Sequence, residues 1–208
     1  MIRASGLRGA AFGTRRDGNG RDDPTARRRI SSELGLPTAW AAVHQVHGPA
    51  VAVVEGPGSG GEADGLVTAV PNLPITVAHT DCLAVVVEGD GGVGIAHAGW
   101  RGMAAGIVAA LREALDGIGV PPLRAAVGPG IGPCCFEVGD DVARLFPGFL
   151  SRTTWGTRSV DLPAAAAAHL DGLEVWSSGR CSHCGPEFHS FREDGLMDPR
   201  QVGVAWVP

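Results

Sequence analysis

Short apolar runs separated by polar or glycine-rich breaks recur along the chain, and this pattern predicts more strands than helices. The clearest runs lie between Pro74 and Arg101, where Val and Ile are frequent and the lengths suit buried strands. The predicted strands are 9–12, 40–46, 51–55, 75–78, 83–87, 93–96, 123–127, 173–176 and 202–207. Segment 51–55 is expected to form a hairpin with 40–46, and 62–68 is expected to re-enter the core.

Four segments carry helical signals. After Asp23-Pro24, residues 25–34 are predicted to form a helix that ends at Gly35. Apolar residues spaced by three and four predict an amphipathic helix over 100–117, capped by Gly117. Further helices are expected at 137–146 and at 162–170, and loops or irregular structure at 56–61, 128–135 and 147–160.

The order of these elements indicates the fold class. Strands outnumber helices, and no regular alternation of strand and helix runs through the 208 residues. We therefore expect an α/β or α+β fold with a mixed sheet rather than a doubly wound one, built as a single domain over residues 1–208.

Composition and charge exclude several classes of protein. A formal net charge of −5 argues against non-specific binding of nucleic acid, which needs a basic face. No segment approaches the roughly 18 consecutive apolar residues of a membrane span, and residues 1–13 lack the apolar centre of a signal peptide. Because the five cysteines are odd in number, free thiols in a reducing cytoplasm are expected rather than a disulfide framework.

Three reactive side chains stand beside glycine-rich breaks at the ends of predicted strands: His47, Cys82 and His97. Two imidazoles and a thiolate suit Zn²⁺, and three protein ligands with one open position are typical of a catalytic zinc site. The spacing alone leaves alternatives open. The histidines and the cysteine could be inert core residues, or Cys82 could pair with an imidazole for acyl chemistry.

A second cysteine motif is Cys181-x-x-Cys184. A four-cysteine zinc site would also need Cys134 and Cys135, whose side chains diverge if the chain there is extended. The expectation from sequence is therefore that the motif packs structurally and holds no metal.

Several blocks of the sequence together resemble the YfiH family, also called the laccase-domain, multicopper polyphenol oxidase or peptidoglycan editing factor family. The blocks run from about residue 9 to 207 and read HQVHG, EADGLVT, TDC, GIAHAGWRGMAAGIV, AVGPGIGPCCFEVG and CSHC-GPEFHSFREDG. The resemblance implies a layered α/β/β/α sandwich like the catalytic domain of cytotoxic necrotizing factor. It also implies a zinc-dependent purine nucleoside phosphorylase that deaminates adenosine, with metal ligands at His47, Cys82 and His97. Two departures from the family pattern concern the substrate: His79 precedes TDC, and Phe191 stands where the family commonly has Tyr.

Phosphorolysis by such an enzyme needs an anion site. Arg101, next to His97, is the first candidate for phosphate, with Arg15 and Arg192 behind it, because guanidinium groups match phosphate oxygens.

Other polar groups have expected roles near the metal. Asp64 or Asp81 could transfer a proton, although either could instead cap a turn. Gln45 shares a strand face with His47 and could support the ligands or contact substrate.

The expected partners are a nucleoside and phosphate, with no nucleic acid and no membrane, and the number of subunits is left open. Two other functions stay in view. A copper-dependent polyphenol oxidase would carry Cu²⁺, yet the His-x-His pairs usual in such enzymes do not occur in the sequence. A cysteine hydrolase or peptidoglycan-precursor editing factor would use Cys82 as its reactive group.

Overall fold

Two mixed six-stranded sheets carry the fold, which the computed structural model describes over residues 1–195 and 198–208. The strands are β1 (Ile2–Arg3), β2 (Ala10–Phe12), β3 (Ala41–His44), β4 (Val51–Val53), β5 (Gly58–Glu62), β6 (Gly65–Thr68), β7 (Ile75–His79), β8 (Leu83–Gly89), β9 (Gly92–Ala98), β10 (Arg124–Val127), β11 (Leu150–Arg152), β12 (Arg158–Val160), β13 (Glu174–Ser177) and β14 (Gln201–Ala205). The helices are α1 (Pro24–Leu34), α2 (Trp100–Ala104), α3 (Ile107–Gly117), α4 (Asp140–Ala143), α5 (Leu162–Ala168) and α6 (Phe191–Asp194), with a 3₁₀ turn at Pro147–Phe149.

Both sheets mix parallel and antiparallel pairs. The first has the order β1-β2-β14-β7-β3-β5, in which β14 is antiparallel to β7 and β3 is parallel to it. The second has the order β13-β10-β8-β9-β6-β4, centred on the antiparallel pair of β8 and β9. The turn from β7 to β8 crosses from one sheet to the other, so it brings the ends of both sheets together around residues 80–82.

The sheets pack face to face, and helices cover their outer faces. Successive side chains of β8 point to opposite sides, so Val86 joins the core between the sheets while Val85 joins the core under α3 and α5. On the outside of the first sheet, α1 buries Ile30 and Leu34 against Val204. The expected α/β/β/α sandwich is confirmed.

The helices are short, and α1 follows the sequence prediction closely. Asp23 caps its first turn by accepting from the Thr25 N–H, and Gly35 ends it in the left-handed conformation at φ 73°. The predicted helix over 100–117 is broken instead, because Gly106 takes φ 90° between α2 and α3. Its predicted cap, Gly117, is the last residue of α3. No helix within residues 1–195 or 198–208 is long and apolar enough to cross a membrane.

Four further predictions of local structure are wrong. Segment 51–55 does not form a hairpin with 40–46: β4 pairs in parallel with β6, in the other sheet from β3. The glycine-rich stretch 56–61 is mostly strand β5, since backbone pairing with β3 needs no side chains, and a Cβ at Gly60 would lie 3.1 Å from Val43. Only the one-turn α4 forms within 137–146, and the β11–β12 hairpin lies within the stretch expected to be irregular.

Candidate metal centre and active-site cavity

His47, Cys82 and His97 lie together where three strands end. Cys82 occupies the turn between β7 and β8, His97 is the penultimate residue of β9, and His47 follows β3. Their ligand atoms are all within 4.8 Å of one another, and the two imidazole rings meet edge to face at 4.7 Å. The structure thus brings together the three side chains that the sequence singled out.

Asp64 fixes the geometry of both histidines. Its Oδ1 lies 2.8 Å from Nδ1 of His97, which leaves Nε2 of that ring free to face Cys82. Its Oδ2 accepts the backbone N–H groups of Val46 and Gly48 at 3.0 and 2.7 Å. These two bonds hold the residue between them, His47, at φ 63°, a conformation that a non-glycine residue rarely adopts. Burial alone would raise the pKa of the Asp64 carboxyl, but the bonds from His97 and the backbone lower it.

Gly99 leaves the space beside the thiol open. A Cβ at this position would stand 2.6 Å from Sγ of Cys82 and 3.4 Å from the His47 ring. Any side chain at Gly99 would therefore fill the space beside Cys82 and His47, which explains why a glycine leads into α2.

The thiol and His97 form an ion pair when no metal is bound. Burial would raise the pKa of Cys82, but the charge on His97 and hydrogen bonds from both histidines lower it to about 6. Burial would likewise lower the pKa of His97, but the Cys82 thiolate and Asp64 raise it to about 9. At neutral pH this is a thiolate beside an imidazolium, so a cation of borderline softness can replace the imidazolium proton. The donor set fits Zn²⁺ or Cu²⁺, with Asp64 as the group that orients His97.

A cavity of about 440 Å³ opens next to these three residues. The volume suits a small-molecule ligand. It is lined by Gln45, His47, Ala78, His79, Thr80, Asp81, Cys82, His97, Gly99, Trp100, Arg101, Ile131, Phe136, Leu162, Phe191, Arg192 and Arg200.

Two arginines at this cavity lie over aromatic rings. The guanidinium carbon of Arg101 is 4.3 Å from the centre of the Trp100 ring, and that of Arg192 is 5.5 Å from the Phe136 ring. Neither guanidinium forms an ion pair with any acidic group in the part of the chain that the structure describes. Both positive charges are therefore available to an anion. Arg200, which the sequence analysis missed, also lines the cavity but is paired with Asp22 and Asp198.

Arg15 and Gln45 make structural contacts. The Arg15 guanidinium donates to the carbonyl of Phe188 at 2.8 Å. Arg15 is not among the described residues that line the cavity, so the structure does not bring it to the site. Gln45 lines the cavity, but its amide spans to β7, donating to the Ala78 carbonyl and accepting from the Ala78 N–H.

Asp81 ties three loops together. One carboxylate oxygen accepts from the Ser182 hydroxyl at 2.7 Å, and the other accepts from the Arg192 N–H at 2.9 Å. Its carbonyl accepts from the Ile131 N–H. Asp81 lines the cavity, whereas Asp64 has no exposed surface, so of the two candidate carboxylates Asp81 is the one within reach of a ligand.

His79 is a buried imidazole on the cavity wall. It is 1% exposed, and neither ring nitrogen makes a hydrogen bond of normal geometry with the described residues, although the backbone of Cys82 and Thr80 lies close enough to favour the charged ring. Burial and the nearby charge on His97 lower its pKa to about 3, so the ring is neutral at physiological pH. A buried polar group without a well-formed hydrogen bond costs stability, so the imidazole is a candidate to contact a ligand in the cavity.

The expectation that Cys134 and Cys135 diverge is wrong. The chain turns there, because the Cys135 N–H donates to the Gly132 carbonyl. Both side chains consequently meet Cys181 and Cys184, with the four sulfur atoms within 4.8 Å of one another.

The fold and the site define a two-sheet α/β protein with a candidate metal centre of two histidines and one cysteine. The chain belongs to the family described as multi-copper polyphenol oxidoreductase laccase, whose model matches residues 12–208. Two relatives share its sequence over most of its length. "Purine nucleoside phosphorylase ORF3" of Streptomyces griseus is 37% identical, over 89% of this chain and 83% of that protein. "Purine nucleoside phosphorylase" of Deinococcus radiodurans is 36% identical, over 90% and 79%.

Solved structures share the fold. YlmD from Geobacillus stearothermophilus superposes with a TM-score of 0.83 at 25% identity, covering 100% of this chain and 98% of that one. The hypothetical protein YfiH of Bacillus licheniformis gives a TM-score of 0.85 at 24% identity, covering 96% and 92%. The likeness extends over the whole sandwich.

Proposed function

We propose that the protein is a zinc-dependent purine nucleoside phosphorylase that cleaves adenosine, inosine, guanosine and methylthioadenosine with phosphate, and that it also deaminates adenosine. The observation that carries the proposal is the placement on one cavity of about 440 Å³ of the His47–Cys82–His97 centre and two arginines that form no ion pair with the described residues. The names of the relatives from Streptomyces and Deinococcus support the phosphorylase activity.

Zinc held by His47, Cys82 and His97 would supply Lewis-acid chemistry, polarising a bound oxygen and lowering the pKa of water. Asp64 orients His97 through the 2.8 Å contact, and Gly99 keeps the adjoining space free for a ligand. The thiolate ligand stays available in a reducing compartment, which agrees with the expected cytoplasmic location.

Arg101 and Arg192 would bind phosphate. Phosphorolysis brings a dianion close to a thiolate, and two guanidinium groups offset that repulsion while fixing the phosphate oxygens. Their stacking on Trp100 and Phe136 restricts the side chains, so less conformational entropy is lost on binding.

The nucleoside would occupy the apolar part of the cavity. Phe191, which is 44% exposed, offers a ring face for a purine. The neutral His79 imidazole could donate to or accept from a base or sugar atom, and Asp81, which lines the cavity, would exchange a proton with the ligand.

A thiol hydrolase is a second candidate, favoured by a specific arrangement. Cys82, His97 and Asp64 stand in the order nucleophile, base and orienting carboxylate that thiol acyl-transfer enzymes use. The position of His47 argues against a thiol hydrolase, because a catalytic triad needs only one imidazole beside the thiol and here there are two. The two candidates differ in their response to metal, which activates the phosphorylase and blocks the nucleophilic thiol.

Product analysis tests the proposal. The zinc-loaded protein is incubated with each of the four nucleosides, with and without phosphate, and bases and sugar phosphates are separated by chromatography. We expect free base and sugar 1-phosphate only with phosphate, and inosine from adenosine in either condition. Absence of phosphate-dependent cleavage of all four nucleosides would contradict the phosphorylase assignment.

A further inference from the structure

A second group of metal-ligand atoms lies outside the metal centre described above. Cys134 and Cys135 come from the loop between β10 and α4, and Cys181 and Cys184 come from the segment between β13 and α6. Their sulfur atoms all lie within 4.8 Å of one another, and Cys184 approaches Cys135 at 3.1 Å and Cys134 at 3.4 Å. Four thiols from two loops thus surround one point.

The spacing matches a tetrahedral metal site. Zinc bound to four thiolates at ~2.3 Å requires sulfur atoms about 3.8 Å apart. Two of the separations, 3.1 and 3.4 Å, lie slightly below that value and none exceeds 4.8 Å, so small side-chain rotations would complete the tetrahedron. A disulfide would need a sulfur separation of about 2.05 Å, shorter than any contact here. It could also join only two of Cys134, Cys135 and Cys184, the three cysteines in closest contact.

The backbone around Cys181 supports thiolate ligation. The Gly132 N–H donates to its sulfur at 3.2 Å, and such bonds stabilise a metal-bound thiolate. Cys181 and Cys184 have the two-residue spacing of a zinc knuckle, and the Gly185 N–H closes the turn onto the Cys181 carbonyl. At Gly132 a Cβ would lie 3.3 Å from the Cβ of Cys181, a tight contact, so glycine eases the approach of the first loop to the cluster.

We propose that Cys134, Cys135, Cys181 and Cys184 bind one zinc ion in a structural site, separate from the centre of His47, Cys82 and His97. Plain packing of thiols in the core is a weaker explanation, since Cys184 is exposed and Cys134 and Cys181 are half-buried. Four protein ligands leave no open position, which makes the site structural rather than catalytic.

The consequence is a fixed wall for the cavity. The two loops already meet through the Ser182 N–H and the Gly130 carbonyl, and Asp81 binds the Ser182 hydroxyl. Phe136 follows directly after Cys135, and it supports Arg192 from beneath. A metal at the four cysteines would therefore hold one wall of the cavity in place.

Metal analysis tests this inference independently of any enzymatic activity. The protein purified under reducing conditions should contain about two zinc ions per chain, and its Cys82→Ala variant about one. X-ray absorption of that variant should show a zinc shell of sulfur alone, at ~2.3 Å. Cobalt substituted into it should give the thiolate charge-transfer and visible bands of a tetrahedral all-sulfur site.

Variants of the cluster complete the test. Cys184→Ser and Cys181→Ser should each lose about one zinc ion while keeping the other. The matched control is His183→Ala, which lies between the two cysteines and should retain both. The inference is overturned if Cys82→Ala contains no zinc, if its zinc shell contains nitrogen, or if two of the four cysteines are joined in a disulfide in the wild-type protein as purified under reducing conditions.

Discussion

The Nδ1 atom of His97 lies 2.8 Å from a carboxylate oxygen of Asp64, a residue with no exposed surface. The same carboxylate binds the backbone on both sides of His47, so one buried group positions both imidazoles of the metal centre. A metal ligand held in this way has a fixed tautomer and ring orientation.

Asp64→Asn should weaken zinc binding by about 10- to 100-fold, the usual effect of losing such an orienting carboxylate. The asparagine amide can accept from His97 or from the backbone, but its NH₂ end repels the other donors. Competition titration with a chromophoric chelator gives the affinity, and Asp90→Asn, an exposed carboxylate on the β8–β9 turn, is the control. An unchanged affinity would show that Asp64 does not tune the centre.

Cys82 in the metal-free protein should be alkylated rapidly at neutral pH, because its pKa is lowered to about 6. The thiolate is the reactive form, so the rate should hold as pH falls toward 7 and drop through pH 6, whereas an ordinary thiol loses reactivity below about 8.5. Asp64→Asn should move the midpoint upward, since a less stable His97 imidazolium stabilises the thiolate less. Mass spectrometry of iodoacetamide-labelled peptides measures the rate, and a midpoint near that of free cysteine would contradict the ion pair.

Arg101→Ala should reduce phosphate-dependent cleavage of adenosine by orders of magnitude, with metal content intact and deamination much less affected. Loss of a charge-assisted pair costs about 2 to 5 kcal/mol where the bound anion desolvates it, and only phosphorolysis requires the anion. Kinetics of both reactions on one preparation decide the role, with Arg28→Ala on the exposed face of α1 as control. If Arg101 serves only to pack on Trp100, the melting temperature falls and both activities decline together.

His79→Leu should stabilise the protein and weaken nucleoside binding. The substitution removes a buried imidazole whose nitrogens make no well-formed hydrogen bond in the described structure, while keeping an apolar side chain of similar size. We expect a higher Tm and an increase of about 2- to 10-fold in the nucleoside KM, the value of one hydrogen bond, with the phosphate KM unchanged. A lower Tm with an unchanged nucleoside KM would assign His79 to packing.

The sequence predicted the central strands and the candidate ligands because both depend on local pattern. The runs that became β7, β8 and β9 are mostly apolar and fully buried, and His47, Cys82 and His97 stand at or beside the ends of predicted strands. The layered sandwich followed from the family resemblance rather than from periodicity. That these three residues bind zinc is still a prediction.

The features of the fold and the site that were not predicted depend mainly on contacts between residues far apart in the chain, which the hydrophobic pattern of the sequence does not reveal. Asp64 meets His97 across 33 residues, and the cysteines of the second cluster meet across about 50. Strand β5 could not be predicted because its glycines give no alternation of apolar and polar residues. The break between α2 and α3 could not be predicted because it depends on the positive φ of Gly106. Arg200 reaches the cavity only because β14 pairs with β7.

Zinc-dependent phosphorolysis is tested most directly by the formation of ribose 1-phosphate from adenosine as zinc is added back to metal-free protein, for the wild type and for Cys82→Ala. The proposed zinc-dependent mechanism requires that the metal-free wild type is inactive, that zinc restores phosphorolysis, and that Cys82→Ala stays inactive at every zinc concentration while remaining folded. Full phosphorolysis by the metal-free protein, or by Cys82→Ala, would contradict it.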